Sequence, residues 1–162
     1  MQDVCNIKRI VETYSDMILR IAYQHTANMH DAEDIAQEVF LSIIKKDMKN
    51  FSSEREKAYI IRTTINKCNS FHRNKGNLNV VYLDEIYKNP EEPKFTIEER
   101  NILNEIRTLD KKYRDVLYLH YYEGYKAFEI AKILGSTTGT ITSRLKRGRE
   151  MLKLKLKEEN YG

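Results

Sequence analysis

Both prolines of the chain, Pro90 and Pro93, fall in one stretch, residues 76–94, which also opens with Gly76-Asn77. Proline has no amide hydrogen to donate and clashes with the preceding helical turn, while Gly and Asn favour turns, so this stretch cannot continue a helix. On either side, apolar residues recur at the three- and four-residue spacing of one helix face. Residues 7–27 carry such a stripe: Ile10, Val11, Tyr14, Met17, Ile18, Ile21 and Ala22. After the turn-like Asn28-Met29-His30, Asp31 is the expected N-cap, with Asp34 three residues on, of a helix reaching about Lys46. Small polar residues in KNFSSER, residues 49–55, predict a loop. A further helix is expected over about 56–74, with Ala58, Ile61, Ile65 and Cys68 inward. From about Thr96 helical periodicity resumes and continues to the C-terminus. The fold class expected is therefore all-α: two small helical domains, residues 1–76 and 96–162, on a flexible linker over 77–95. Within that linker, Val80-Val81-Tyr82-Leu83 reads as a short extended or docking piece. A chain of 162 residues, 41% of them hydrophobic, can supply the two small cores.

Charge is distributed unevenly. The net charge is only +4, yet residues 138–157 hold seven bases against the single acid Glu150. Residues 55–75 hold six bases against Glu56, and residues 84–105 hold seven acids and three bases. Such segregation points to two polyanion-facing patches separated by a segment that does not face one.

Enzyme chemistry finds little footing. His25, His30, His72 and His120 show neither HExxH spacing nor clustering with cysteine, so no metal or other cofactor is expected. Cys5 and Cys68 are far apart and read as reduced thiols. No glycine-rich phosphate loop or GxSxG elbow occurs, and no small-molecule substrate is implied. No apolar run approaches the roughly 18 residues of a spanning helix, and residues 1–9 lack the apolar core of a signal peptide, so a cytoplasmic protein is expected.

The most specific local pattern is EIAKILGSTTGTITSRLKRGRE, residues 129–150. In a helix-turn-helix two helices cross closely enough to need a small residue in the first, a Gly to end it and a β-branched anchor in the second. Ala131, Gly135 and Ile141 occupy those places, with Ile130, Leu134 and Leu145 as supporting core and Ser136 or Thr137 as cap. Thr138 to Thr142 then begin a recognition helix that enters the major groove, and Arg144, Lys146, Arg147 and Arg149 reach base edges or phosphates. Lys153, Lys155 and Lys157 either extend this basic face or only solubilise a helix end.

Two further features carry less alone. Asp31, Asp34 and Glu38 fall on one stripe beside the apolar face of Ala32, Ile35, Ala36, Val39 and Ile43, which suits a basic protein partner. Acids also favour helix N-termini through capping and the dipole. The basic 55–75 helix interleaves cations with Tyr59, Phe71 and His72 and follows Phe51, which suits stacking on single-stranded nucleic acid; packing in the core is the ordinary alternative for such rings.

Taken in order, DAEDIAQEVF, YIIRTTIN, an acidic proline-bearing linker and the helix-turn-helix block resemble the bacterial sigma-70 family, most of all its compact extracytoplasmic-function group with sigma domains 2 and 4. The resemblance covers nearly the whole chain. It implies a non-enzymatic subunit that binds core RNA polymerase, through its beta and beta-prime subunits, and directs it to promoter DNA, both duplex and melted. It also implies an anti-sigma factor burying Ile, Leu and Tyr surface of both domains. Carried onto matching positions, the resemblance implies polymerase binding by Asp31, Asp34, Gln37 and Glu38. It implies capture of a flipped minus-ten base by the loop of Lys49, Asn50, Phe51, Ser52, Ser53 and Arg55. Tyr59, Arg62, Asn66 and Arg73 match the helix that contacts the upstream edge of that element and assists melting. Thr138, Thr140, Ser143, Arg144, Lys146, Arg147 and Arg149 match the helix that reads the minus-thirty-five element. Three positions depart from the family pattern: Tyr59 replaces the common Trp, Thr142 a frequent Lys or Arg, and Gly148 the usual Ala, the last at an expected cost of about 1 kcal/mol of helix stability. The rival readings are a stand-alone helix-turn-helix regulator, which leaves residues 49–75 unexplained, and a nucleic-acid-processing enzyme, for which no catalytic constellation is present.

Overall fold

A computed structural model describes residues 3–75 and 97–161. The chain divides into two compact units, Met1–Lys94 and Phe95–Gly162. Among the described residues every regular element is helical, and no helix is long and apolar enough to cross a membrane. The expected linker at 77–95, with its piece at 80–83, lies outside the described residues.

In the first unit, helix α1 (Val4–Thr26) turns through Ala27 into α2 (Met29–Lys45), and a short loop leads to α3 (Ser53–Lys75), each helix packing on the other two. Apolar stripes explain the arrangement. Ile10, Ile18 and Ile21 of α1, Ile35, Val39 and Ile43 of α2, and Ile60, Ile61 and Cys68 of α3 are almost wholly buried. Each buried branched side chain contributes about 1.5–3 kcal/mol. The expected inner face of α3 is correct at Ile61, Ile65 and Cys68 but not at Ala58, which is half-buried, and it omits Ile60 and Thr64.

Two helix starts differ from the sequence expectation. Asn28, not Asp31, caps α2: its Oδ1 accepts the Asp31 amide at 3.0 Å, so Met29 and His30 are already helical. Ser52 likewise begins α3, its Oγ accepting the Arg55 amide at 3.2 Å and its carbonyl the Glu56 amide at 2.9 Å. Ser53 and Arg55 therefore belong to the first helical turn rather than to the loop. A side-chain oxygen competes for whichever amides the chain path brings to it, and the path is fixed here by the α1–α2 turn and by buried Met48.

In the second unit, α4 (Ile97–Arg107), α5 (Lys111–Leu117), a π-helical turn (Tyr118–Tyr122), α6 (Ala127–Leu134) and α7 (Thr138–Tyr161) follow in order, with α7 packing on α4, α5 and α6. The periodicity read as continuous from Thr96 is thus broken several times. The π turn is held by bonds of the wide type, with Glu123 donating to the Tyr118 carbonyl at 3.3 Å, and by stacked Tyr118 and Tyr122 rings 5.3 Å apart.

Gly135 ends α6 at φ 66°, the left-handed conformation a side chain resists, and the Ser136 amide reaches back to the Ala131 carbonyl at 2.8 Å. Thr137 is the cap of α7, its Oγ1 accepting the Thr140 amide at 3.3 Å. Ala131, Ile130, Ile141 and Leu145 are buried as expected, whereas Leu134 is half-buried and Ile133 takes its place in the core. Gly148 also differs from its expected role. A Cβ there would sit 3.0 Å from Leu117 Cδ1 and 3.4 Å from Tyr113 Cβ, so its bare backbone lets α7 approach α5.

Candidate nucleic-acid and partner interfaces

Three separate faces carry the candidate residues. On α2, Asp34, Gln37, Glu38 and Leu41 recur at one-turn spacing, and all four are exposed. With Phe71 and Lys67 of α3 they line a groove of about 450 Å³. Lys67 Nζ lies 3.7 Å from Glu38 Oε2 across it. The groove is acidic along one wall and apolar at Leu41 and Phe71, which fits a basic helix bearing apolar side chains. Asp31 does not join it. At the third position of α2, directly after the α1–α2 turn, it is only 7% exposed. Leu41, 57% exposed, is apolar yet out of phase with the buried stripe of α2, the one signal of its role that the sequence carries. Phe71, grouped in sequence with the nucleic-acid-facing aromatics, belongs to this groove.

The second face joins the loop before α3 to one stripe of that helix. Met48 is buried, and Lys49 and Asn50 form the exposed tip of a turn closed by the Phe51 amide on the Met48 carbonyl at 3.0 Å. Lys49 also donates its amide to Asp47 Oδ1 at 3.1 Å. The Arg55 guanidinium lies 3.9 Å from the Phe51 ring centroid, and that ring meets Tyr59 edge-on at 5.9 Å. Tyr59 also lies under Lys46 Nζ at 5.7 Å. Helical spacing then places Arg55, Tyr59, Arg62, Asn66 and Arg73 on one side of α3, all exposed except half-buried Tyr59. Ser52 and Ser53 are exposed beside them. The arrangement offers cations, amide groups and ring edges along one line, the chemistry that unpaired bases and phosphates engage.

Behind this loop, Glu56 is nearly buried and binds two residues of α1. Arg9 Nη1 donates to Glu56 Oε2 at 3.2 Å and Nη2 to Oε1, while Tyr14 Oη donates to Oε2 at 2.7 Å. The hydrogen bond from Arg9, aided by that from Tyr14, holds the Glu56 carboxyl below its ordinary value. The same contact raises the Arg9 value. Burial first, then the bond to Glu56, push the Tyr14 phenol up to about 12. Sequence periodicity placed Tyr14 in the core but gave no sign of this network, because its partners lie more than forty positions apart.

The third face is α7. Ser143 and Arg147 are exposed on one side of α7, flanked by half-buried Thr140 and Arg144 next to the buried stripe of Ile141, Leu145 and Gly148, and Thr138 stands exposed at the helix start. Thr140 Oγ1 is 2.8 Å from Thr137 Oγ1, so its hydroxyl is tied into the cap. Among the described residues no carboxylate lies within ion-pair distance of Arg144, Lys146 or Arg147. Arg149 lies apart from this face. Its Nη1 is 3.4 Å from Tyr121 Oη, and with Lys146 it rims an apolar groove of about 890 Å³ floored by Ile102, Ile106 and Leu152.

Each of the two units matches a known family region. Residues 10–77 match the family model for sigma-70 region 2, and residues 99–152 that for sigma-70 region 4. The ECF RNA polymerase sigma factor SigW of Bacillus subtilis is 30% identical over 165 residues, covering 92% of this chain and 88% of its own length. The chain belongs to the sigma-70 family, in its extracytoplasmic-function group. A second relative, the ECF RNA polymerase sigma factor SigE of Mycolicibacterium smegmatis, is 28% identical over 89% of this chain, which spans 59% of that longer protein. The fold is that of the sigma factor RpoE from Bartonella quintana, solved in complex with the anti-sigma factor NepR, with a TM-score of 0.76 over 95% of this chain and 98% of that one at 21% identity. It is similarly that of CnrH, solved with the cytosolic domain of CnrY, with a TM-score of 0.66 over 96% and 90% at 20% identity. Family membership disfavours the stand-alone regulator, whose helix-turn-helix would not require region 2.

Proposed function

We infer that this chain is a promoter-directing sigma subunit that holds core RNA polymerase with its first unit and contacts promoter DNA with both. The observation that carries this is the presence of two differently charged faces on one three-helix unit, followed in the same chain by a helix-turn-helix whose outward cations lack acidic partners among the described residues. The α2–α3 groove, with Asp34, Gln37, Glu38, Leu41 and Phe71, is the docking surface for a basic, apolar-bearing helix of the polymerase clamp on the beta-prime subunit. Asp31 lies outside this groove and enters only through its amide, which closes the Asn28 cap at the start of α2.

The loop of Lys49, Asn50, Phe51 and Ser52, with Ser53 and Arg55, receives an unpaired minus-ten base. Extruding that base costs a few kcal/mol, which stacking and phosphate contacts offset. Tyr59, Arg62, Asn66 and Arg73 follow the strand upstream. Thr138, Thr140, Ser143, Arg144 and Arg147 face the minus-thirty-five duplex, with Lys146 and Arg149 on the flank.

No bond is made or broken by this chain, which works beside the DNA in the cytoplasm. An anti-sigma factor is its regulatory partner, as RpoE, solved with the anti-sigma factor NepR, suggests by analogy, and exposed Leu41, Ile102 and Tyr121 are surface it would cover. The test is transcription in vitro from a pool of promoter fragments by sigma-free core polymerase with and without this protein. Discrete new starts that vanish with Arg144→Ala plus Arg147→Ala support the reading. Tight duplex binding by the protein alone, without new starts, overturns it.

A further inference from the structure

Glu56 is the one acid in the basic 55–75 stretch, and it sits at the junction between the minus-ten loop and α3. Its amide closes on the Ser52 carbonyl at the end of that loop, and its carboxylate is held from below by Arg9 and Tyr14. The recess between α1 and the loop, lined by Asn6, Arg9, Met48, Lys49, Phe51 and Glu56, looks at first like a binding pocket. Asn6, Arg9 and Glu56, at its centre, are instead bonded to one another. Arg9 serves Glu56 with two nitrogens and Asn6 Oδ1 with Nε at 3.1 Å and Nη2 at 2.9 Å, and Glu56 accepts from both α1 side chains. Such an assembly acts as a brace, not a receptor.

We propose that Glu56, clamped by Arg9 and Tyr14, is a positioning residue that fixes the minus-ten loop in its base-accepting shape and screens its own charge from the incoming DNA. The clamp orients the first turn of α3, which carries Arg55 and, stacked on it, Phe51. Arg9 also cancels a negative charge that would otherwise lie beneath a phosphate-facing loop. The Arg9 side chain is 48% exposed, and ion pairs open to solvent on one side contribute little to stability, so stability alone is a weak reason for this one. A planar guanidinium gripping a carboxylate at both oxygens fixes an angle, which an apolar contact does not.

The inference rests on the sigma reading above, and its test separates the two. Full-length wild type, Glu56→Gln and Arg9→Lys are compared in three assays well below their melting temperatures. These are affinity for core polymerase, transcription from a promoter that wild type uses, and binding of the polymerase complex to a single-stranded minus-ten oligonucleotide against one with the captured base replaced. Glu56→Gln is expected to keep core affinity within twofold, to lose at least tenfold in transcription from duplex promoter, and to lose most of the discrimination between the oligonucleotides. Arg9→Lys, which keeps the charge but not the fork, should fall between. Should Glu56→Gln fail to fold, Arg9→Lys decides alone by its discrimination ratio. Wild-type discrimination in the folded variants overturns the proposal while leaving the sigma reading intact. A wild type that directs no transcription removes that reading and the proposal with it. A loss of transcription that cooling restores, with discrimination unchanged, reduces Glu56 to a structural residue.

Discussion

Replacing Tyr14 with phenylalanine removes one oxygen from a nearly buried ring and leaves the Arg9–Glu56 pair in place. The lost bond runs 2.7 Å from a phenol to a carboxylate oxygen. Hydrogen bonds to charged groups are worth about 1.5–3 kcal/mol, and because Arg9 still satisfies Glu56 the cost should lie near the lower end, about 1.5–2 kcal/mol. The pH dependence gives a further figure, for burial of the phenol and its bond to Glu56 together. Folding raises the Tyr14 value from 10.0 to about 12, so this stabilisation is fully present below pH 10 and is lost as pH rises toward 12. Linkage between those two values removes under 0.1 kcal/mol by pH 9 and about 1.4 kcal/mol by pH 11. The stability gap between wild type and Tyr14→Phe should therefore narrow by about 1.3 kcal/mol over that interval. Urea denaturation followed by far-ultraviolet circular dichroism measures the gap at each pH, and amide exchange in α1 and α3 near neutrality assigns it to the first unit. Equal stability of the two proteins at pH 8, or a gap that stays constant from pH 9 to 11, would refute the assignment of the Tyr14 hydroxyl to Glu56.

Three other changes probe different parts of the chain. Gly135→Ala places a Cβ in open space but at φ 66°, so it should cost about 1–2 kcal/mol from backbone strain alone, with Gly135→Asn costing less, as read by chemical denaturation of the second unit. At Gly148, alanine should be nearly neutral, since roughly 1 kcal/mol of helix propensity is set against crowding of fully buried Leu117, whereas Gly148→Val should destabilise by more than about 2 kcal/mol; equal effects of the two would show that α7 does not approach α5 this closely. Leu41→Asp should weaken core-polymerase binding at least tenfold while leaving duplex DNA binding by the second unit unchanged, measured by competition for core against a labelled sigma factor.

Much of this protein was legible in one dimension because its determinants are local. Helical periodicity named Ile10, Ile18, Ile35, Val39 and Ile61 as core, since a repeat of 3.6 residues needs only a helix to become a face. Gly135 and Ile141 announced the helix-turn-helix because left-handed caps and close crossings accept few residue types. The cations of α7 stood out because a run of like charge is visible without any fold. The π turn at Tyr118–Tyr122 was not visible, because its wider bonds leave an apolar pattern close to that of an ordinary helix.

Tertiary structure decided what depends on distance across the chain. Whether Asp31 or Asn28 caps α2 turned on the path out of α1, and that same path buried Asp31 while leaving Asp34, Gln37 and Glu38 open. Phe71 became a groove residue only once α2 lay beside α3. Gly148 changed from a helix weakness to a point of close approach when Leu117 came within reach. Arg9, Tyr14 and Glu56 are unremarkable as letters, and only packing α1 against the start of α3 brings them together. The sequence determined the helices of the first unit, most of their inward faces, the helix-turn-helix and the family; the packing of those helices determined which polar side chains meet, because hydrogen bonds and ion pairs require positions in space that spacing along the chain does not encode.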